Sequence, residues 1–60
     1  MDKLKEARTR AGLTQIDVAV RVGVTLTTYQ LWERGAMKPT EDNRKKLFKL
    51  LGITEEEARG

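Results

Sequence analysis

Amides, hydroxyls, carboxylates and cations are the side chains here that could do chemistry, because the chain holds no His and no Cys. Proton transfer near neutral pH usually calls on His or on carboxylates pushed apart in pKa, and covalent catalysis calls on an activated nucleophile. No carboxylate pair placed for burial and no phosphate-cradling Gly loop can be read along the chain. A zinc site would need the missing Cys or His. We therefore expect no enzyme, no metal and no cofactor, and sixty residues leave little room for a small-molecule pocket. What remains is hydrogen bonding and charge. The net charge is +3 and the pI about 9.6, a modest basic bias compatible with a polyanionic partner. The bias is local. Arg34, Lys38, Arg44, Lys45, Lys46 and Lys49 stand against Glu41 and Asp42, whereas Glu55, Glu56 and Glu57 against Arg59 make the end acidic.

The stretch just before the basic run, QIDVAVRVGVTLTTYQLWER from Gln15 to Arg34, must do the positioning. Thr14 can cap a helix, and Asp17 falls three residues later, as in a capping box. Val18, Ala19 and Val22 form one apolar stripe. Gly23 follows where a helix end favours a left-handed residue. Thr25 caps a second helix, whose inward face is Tyr29 and Trp32. Ala19 is small enough for that helix to cross closely. Two short helices joined at Val22-Gly23-Val24 make a helix-turn-helix unit.

The rest reads as support. A first helix is expected from Asp2, as cap, to Ala11, with Leu4, Ala7 and Ala11 on one face and Gly12 ending it. Leu13 should be buried, and Gly35 should end the helix that holds Trp32. After Pro39, Thr40 caps a fourth helix with Leu47, Phe48 and Leu51 inward and Gly52 at its end. Ile53 plugs the core, and Thr54 with Glu57 forms a capping box for a last short helix. The fold class is all-α, about five short helices in a single domain spanning residues 1–60. No apolar run approaches the ~20 residues of a membrane span and no signal-peptide core is visible, so a cytoplasmic protein is expected.

Taken together, AGLTQ (11–15), VA-x-x-VGV (18–24), T-x-x-x-Y-x-x-WERG (25–35), KP (38–39) and LLGI (50–53) resemble the phage repressor and Cro-type helix-turn-helix family, an XRE-like DNA-binding domain. The combination is specific because each piece has its own task in the fold. The resemblance implies a lambda-repressor-like five-helix domain that reads double-stranded operator DNA, usually as a dimer. It implies a transcriptional regulator, most simply a repressor, and not an enzyme.

If helix 25–34 enters the major groove, helical geometry turns Leu26, Thr27, Gln30 and Leu31 to the base edges, and the resemblance points to the same face. The two leucines depart from the family, which commonly carries Arg, Gln, Ser or Asn there. Leucine offers only apolar contact, for instance to a thymine methyl, while Gln30 can pair bidentately with adenine. An A·T-leaning site with modest direct readout is expected, with DNA shape and dimer spacing supplying more. Gln15 opens a helix, where an anion is welcome, and by resemblance clasps a phosphate. Thr25, mainly a cap, and Thr28 flank the next helix start as further phosphate contacts. By resemblance Arg34, Lys38 and Asn43 approach the backbone on the other side. Arg8 and Glu33 edge two apolar stripes, and matching family residues form a structural salt bridge. Tyr29 and Trp32 belong to the core first, with the Tyr hydroxyl in reach of a phosphate. Arg44 is expected to lay its stem over the core.

Two alternatives stay open. Ile16 and Val20, i and i+4 on the outer side of their helix, would suit a protein-interaction module, as would Leu26 and Leu31. The chain could also be a DNA-binding fragment of a larger regulator. A homodimer through Leu50 and the chain end would be small and weak, and one that forms only on DNA fits that size.

Overall fold

The computed structural model describes residues 2–54, in which four helices and no strand occur. They are α1 (Asp2–Arg10), α2 (Gln15–Val22), α3 (Leu26–Arg34) and α4 (Glu41–Leu51). No helix among the described residues is long and apolar enough to cross a membrane. The fifth helix expected after Thr54 lies outside the described residues.

Helix starts follow the Thr residues. Thr14, Thr25 and Thr40 hold extended backbone, and each hydroxyl accepts from the N–H three residues on, in Asp17, Thr28 and Asn43. At Thr14 the box is complete, because the Asp17 carboxylate also accepts from the Thr14 N–H at 2.9 Å. That carboxyl is held below its usual range, first by the Thr14 backbone N–H and then by the Thr14 hydroxyl. Thr25 is the cap of α3, as expected, so that the helix itself starts at Leu26, whereas Asp2, also expected as a cap, is already helical.

All four helices end alike. The residue after each terminal Gly sends its N–H back five positions: Leu13 to Arg8, Val24 to Ala19, Ala36 to Leu31 and Ile53 to Phe48. This is the Schellman arrangement, and it brings the hydrophobic Leu13, Val24 and Ile53 down on the core. Gly23, at φ 89°, shows why the residue must be Gly, since a side chain there would meet its own backbone.

α3 packs against α1 and α2, while α4 closes the far side against the same two helices. The core is Leu4, Ala7, Val18, Ala19, Val22, Tyr29, Trp32, Leu47, Phe48 and Ile53. Tyr29 and Trp32 meet edge to face at 6.2 Å, a favoured aromatic geometry. Leu13 and Leu51 are only half-buried at its border. Ala11 is exposed, contrary to the face expected of α1. The helix gives way at Arg10 to the left-handed turn at Gly12, so the i+7 position falls beyond the stripe. Arg44 lies over the Phe48 ring, its guanidinium carbon 5.7 Å from the centroid.

Candidate nucleic-acid interface

The capping at Thr25 sets the rotation of α3. Tyr29 and Trp32, three apart, are drawn into the core, which turns the opposite side outward. There Thr27 is exposed, Leu26 is 36% exposed, and Gln30 and Leu31 are half-buried. Leu31 is not among the partly buried residues packed on the core. The four therefore share one outer side with no charge among them.

The residues around this side differ in how firmly they are held. Thr25 Oγ1 accepts from the Thr28 N–H and donates to Thr28 Oγ1 at 3.0 Å. The Thr28 hydroxyl proton is thereby left to point elsewhere. Arg34 closes α3 and is exposed, as is Lys38 before Pro39. Asn43, half-buried in the first turn of α4, gives its backbone N–H to the Thr40 cap.

Behind the outer side sits a polar knot centred on Glu33, whose side chain is 6% exposed. Arg8 Nε donates to Glu33 Oε2 at 2.6 Å, and Arg8 Nη1 donates to the Leu13 carbonyl at 2.9 Å. The Tyr29 hydroxyl also donates to Glu33 Oε2. This overturns the expectation that it reaches a phosphate: a buried hydroxyl takes the nearest acceptor, one turn away on its own helix. Gln15 Nε2 donates to Glu33 Oε1 at 3.1 Å, and Gln30 Nε2 donates to Gln15 Oε1 at 3.2 Å. Burial pushes the Glu33 carboxyl up, but the Arg8, Tyr29 and Gln15 donors outweigh it and hold it below the usual carboxylate range. The Tyr29 hydroxyl is raised well above its ordinary value, first by burial and then by its bond to Glu33.

The Gln15 side chain is thus a bridge within the protein, where the sequence suggested a phosphate clasp. The unpaired N–H groups of the α2 start remain the natural anion-facing part of that residue. An open groove of about 610 Å³ runs over the knot, lined by Lys5, Arg8, Gln15, Gln30, Glu33 and Arg34. It carries three cations against one carboxylate. Sequence reading does not single out Lys5, although its place three residues before Arg8 on α1 puts both on one side of the helix. On the outer side of α2, Ile16 and Val20 are 59% and 72% exposed.

A capped pair of short helices, packed together and presenting one outer side beside a basic groove, suits a rod-shaped polyanion. No curated protein and no solved structure matches the chain. The family model described as helix-turn-helix matches residues 4–57. The match spans nearly the whole sequence, and the chain belongs to this helix-turn-helix family, whose XRE-like members are DNA-binding transcription regulators.

Proposed function

We propose that the chain is a single sequence-specific DNA-binding domain that acts as a cytoplasmic transcriptional repressor and lays α3 in the major groove of operator DNA. Leu26, Thr27, Gln30 and Leu31 face the base edges. Gln30 pairs with adenine, Thr27 donates or accepts, and the leucines touch thymine methyls, giving an A·T-leaning site. Gln15 through its backbone, Thr25, Thr28, Arg34, Lys38 and Asn43 hold phosphates on either side and fix the register. Two copies meet on DNA through a small contact that includes Leu50, and no small molecule binds within the domain. The observation that supports this reading best is the uncharged outer side of α3 bordered by Arg34 and the basic groove.

The test is binding to mixed-sequence and selected duplexes across a salt series. Each phosphate engaged contributes about −0.9 to the slope of log affinity against log salt. A steep decline is expected, and an affinity indifferent to salt would remove phosphate contact from the account. The exposure of Ile16 and Val20 favours a second reading, a protein-interaction module. Duplex binding that is absent even at low salt would leave that one standing.

A further inference from the structure

Two glutamines far apart in sequence meet over the Glu33 knot, and the order of their bonds has a direction. An ionised carboxylate can only accept, so whatever faces Glu33 Oε1 must donate. Gln15 meets it with Nε2, at 3.1 Å. Its oxygen is then turned to the other side, where only a donor is welcome. Gln30 supplies that donor, Nε2 to Oε1, at 3.2 Å. A carboxamide bonded through one N–H keeps its oxygen and its second N–H for a partner. The direction of the Gln30 amide is therefore set two residues back, by a carboxylate that Arg8 and Tyr29 hold in place.

We propose that Gln15 is a positioning residue, through which Glu33 fixes the Gln30 amide in one direction and makes it selective for adenine over guanine. The proposal rests on the reading of α3 as the groove-facing helix and deepens it. Adenine offers a donor at N6 beside an acceptor at N7, which matches an amide presenting both oxygen and N–H. Guanine offers two acceptors, O6 and N7, and faces the fixed oxygen with another oxygen. Without Gln15 the Gln30 amide turns freely and suits either base edge less well. The Arg8–Glu33 pair then does more than join α1 to α3, because it also sets the polarity of the relay.

One arm of the test uses no DNA. The chain has two Gln and one Asn, so only three side-chain amide pairs appear in a nitrogen–proton NMR spectrum. The Gln15 and Gln30 amide protons are expected to exchange with water more slowly than those of Asn43. In Gln15→Leu the Gln30 pair should join Asn43. Equal exchange at all three in the native chain overturns the relay, whether or not the variant folds.

The second arm selects duplexes from a random pool with the native chain, Gln30→Leu and Gln15→Leu. The native chain is expected to enrich adenine over guanine at one position by about tenfold or more. Both variants should lose that enrichment while keeping the preferences at other positions. Enrichment that survives in Gln15→Leu but not in Gln30→Leu overturns the relay and leaves the reading of α3 intact. Enrichment that survives in Gln30→Leu overturns the role given to Gln30. Retention of no duplex by the native chain, with the amides protected as expected, overturns the reading of α3 and with it the base preference.

Discussion

α2 and α3 are built to one plan and differ in what they leave outside. Each starts from a Thr cap, ends at a Gly and sends two or three residues into the common core. On its outer side α2 sets Ile16 and Val20 beside Asp17 and Arg21, a mixture of aliphatic and charged groups. α3 sets Leu26, Thr27, Gln30 and Leu31 there, with no acid in its first turn and no charge until Glu33 and Arg34. At the start of α2 the Asp17 carboxylate takes the N–H of the Thr14 cap, while the start of α3 has hydroxyls alone. The caps and the core fix the frame of both helices, and neither dictates the outer residues. The outer side is therefore where a partner can leave its mark, and α3 is the helix whose inner side is tied most firmly.

The largest effect should come from cutting that tie in the core. Trp32→Ala removes a buried ring, which typically costs about 3–5 kcal/mol. A chain of this size has roughly 3–9 kcal/mol of stability in all. Trp32→Ala is expected to be largely unfolded on warming, judged by circular dichroism, whereas Leu31→Ala should melt as a cooperative unit close to the native chain. Equal losses would erase the distinction between the two sides of α3.

Next in size is the polar knot. Arg8 and Glu33 are 14% and 6% exposed in their side chains, and removing one partner of such a pair leaves the other charge buried. Arg8→Ala should cost about 3 kcal/mol in urea denaturation. Arg10→Ala, on an exposed residue two positions on, should stay within about 0.5 kcal/mol. Similar midpoints for both would show that the Arg8 bond adds nothing to stability.

The same knot gives the chain a pH dependence at both ends. Glu33 is depressed from 4.5, so its contribution is present above that value and is lost as pH falls through the lower folded-state value. Tyr29 is raised from 10.0, so its contribution is complete below that value and fades as pH rises through the folded-state value. Melting temperature should therefore fall with acid below about pH 4.5 in the native chain and less so in Glu33→Gln, which has no carboxylate to protonate. Parallel acid profiles for the two would assign the loss to other carboxylates, Asp17 first.

These contrasts show where sequence was informative. Thr14, Thr25 and Thr40 announce helix starts because a hydroxyl in that place has one local task, and Tyr29 and Trp32 announce the inner side of α3 by their spacing and bulk. Local rules reach about a turn of helix. Ala11 lies at the limit of such a rule, since periodicity continues on paper after the chain has left the helix. The Gln15–Gln30 bond lies beyond it altogether. The two residues are fifteen apart, and only the crossing of α2 over α3 brings them together. The spacing and bulk of Tyr29 place it in the core, yet its hydroxyl direction depends on Glu33 being folded back beneath it. The outer face of α3 was legible as a face, while the hydrogen bonds holding Gln30 on it were not.

The smallest effect on stability, and the sharpest on the comparison, should come from the outer sides themselves. Ile16 and Val20 are 59% and 72% exposed, so replacing both by Glu removes little buried surface. Exposed substitutions usually stay within about 0.5 kcal/mol, and two Glu at i, i+4 repel by a few tenths more. Ile16→Glu with Val20→Glu should therefore melt near the native chain. On duplex DNA it should lose affinity only modestly, through long-range repulsion that salt screens. Thr27→Glu should be equally harmless to folding, yet it sets a carboxylate on the exposed outer side of α3 and should abolish duplex retention at every salt concentration. If the α2 pair abolishes retention as completely as Thr27→Glu, the outer side of α2 belongs to the contact and the two helices are not divided as described. If instead the α2 pair changes only self-association or solubility, Ile16 and Val20 dock a protein surface while α3 keeps the DNA. Measuring retention and sedimentation on the same samples separates these outcomes, because a charge placed on a free surface moves neither one by much.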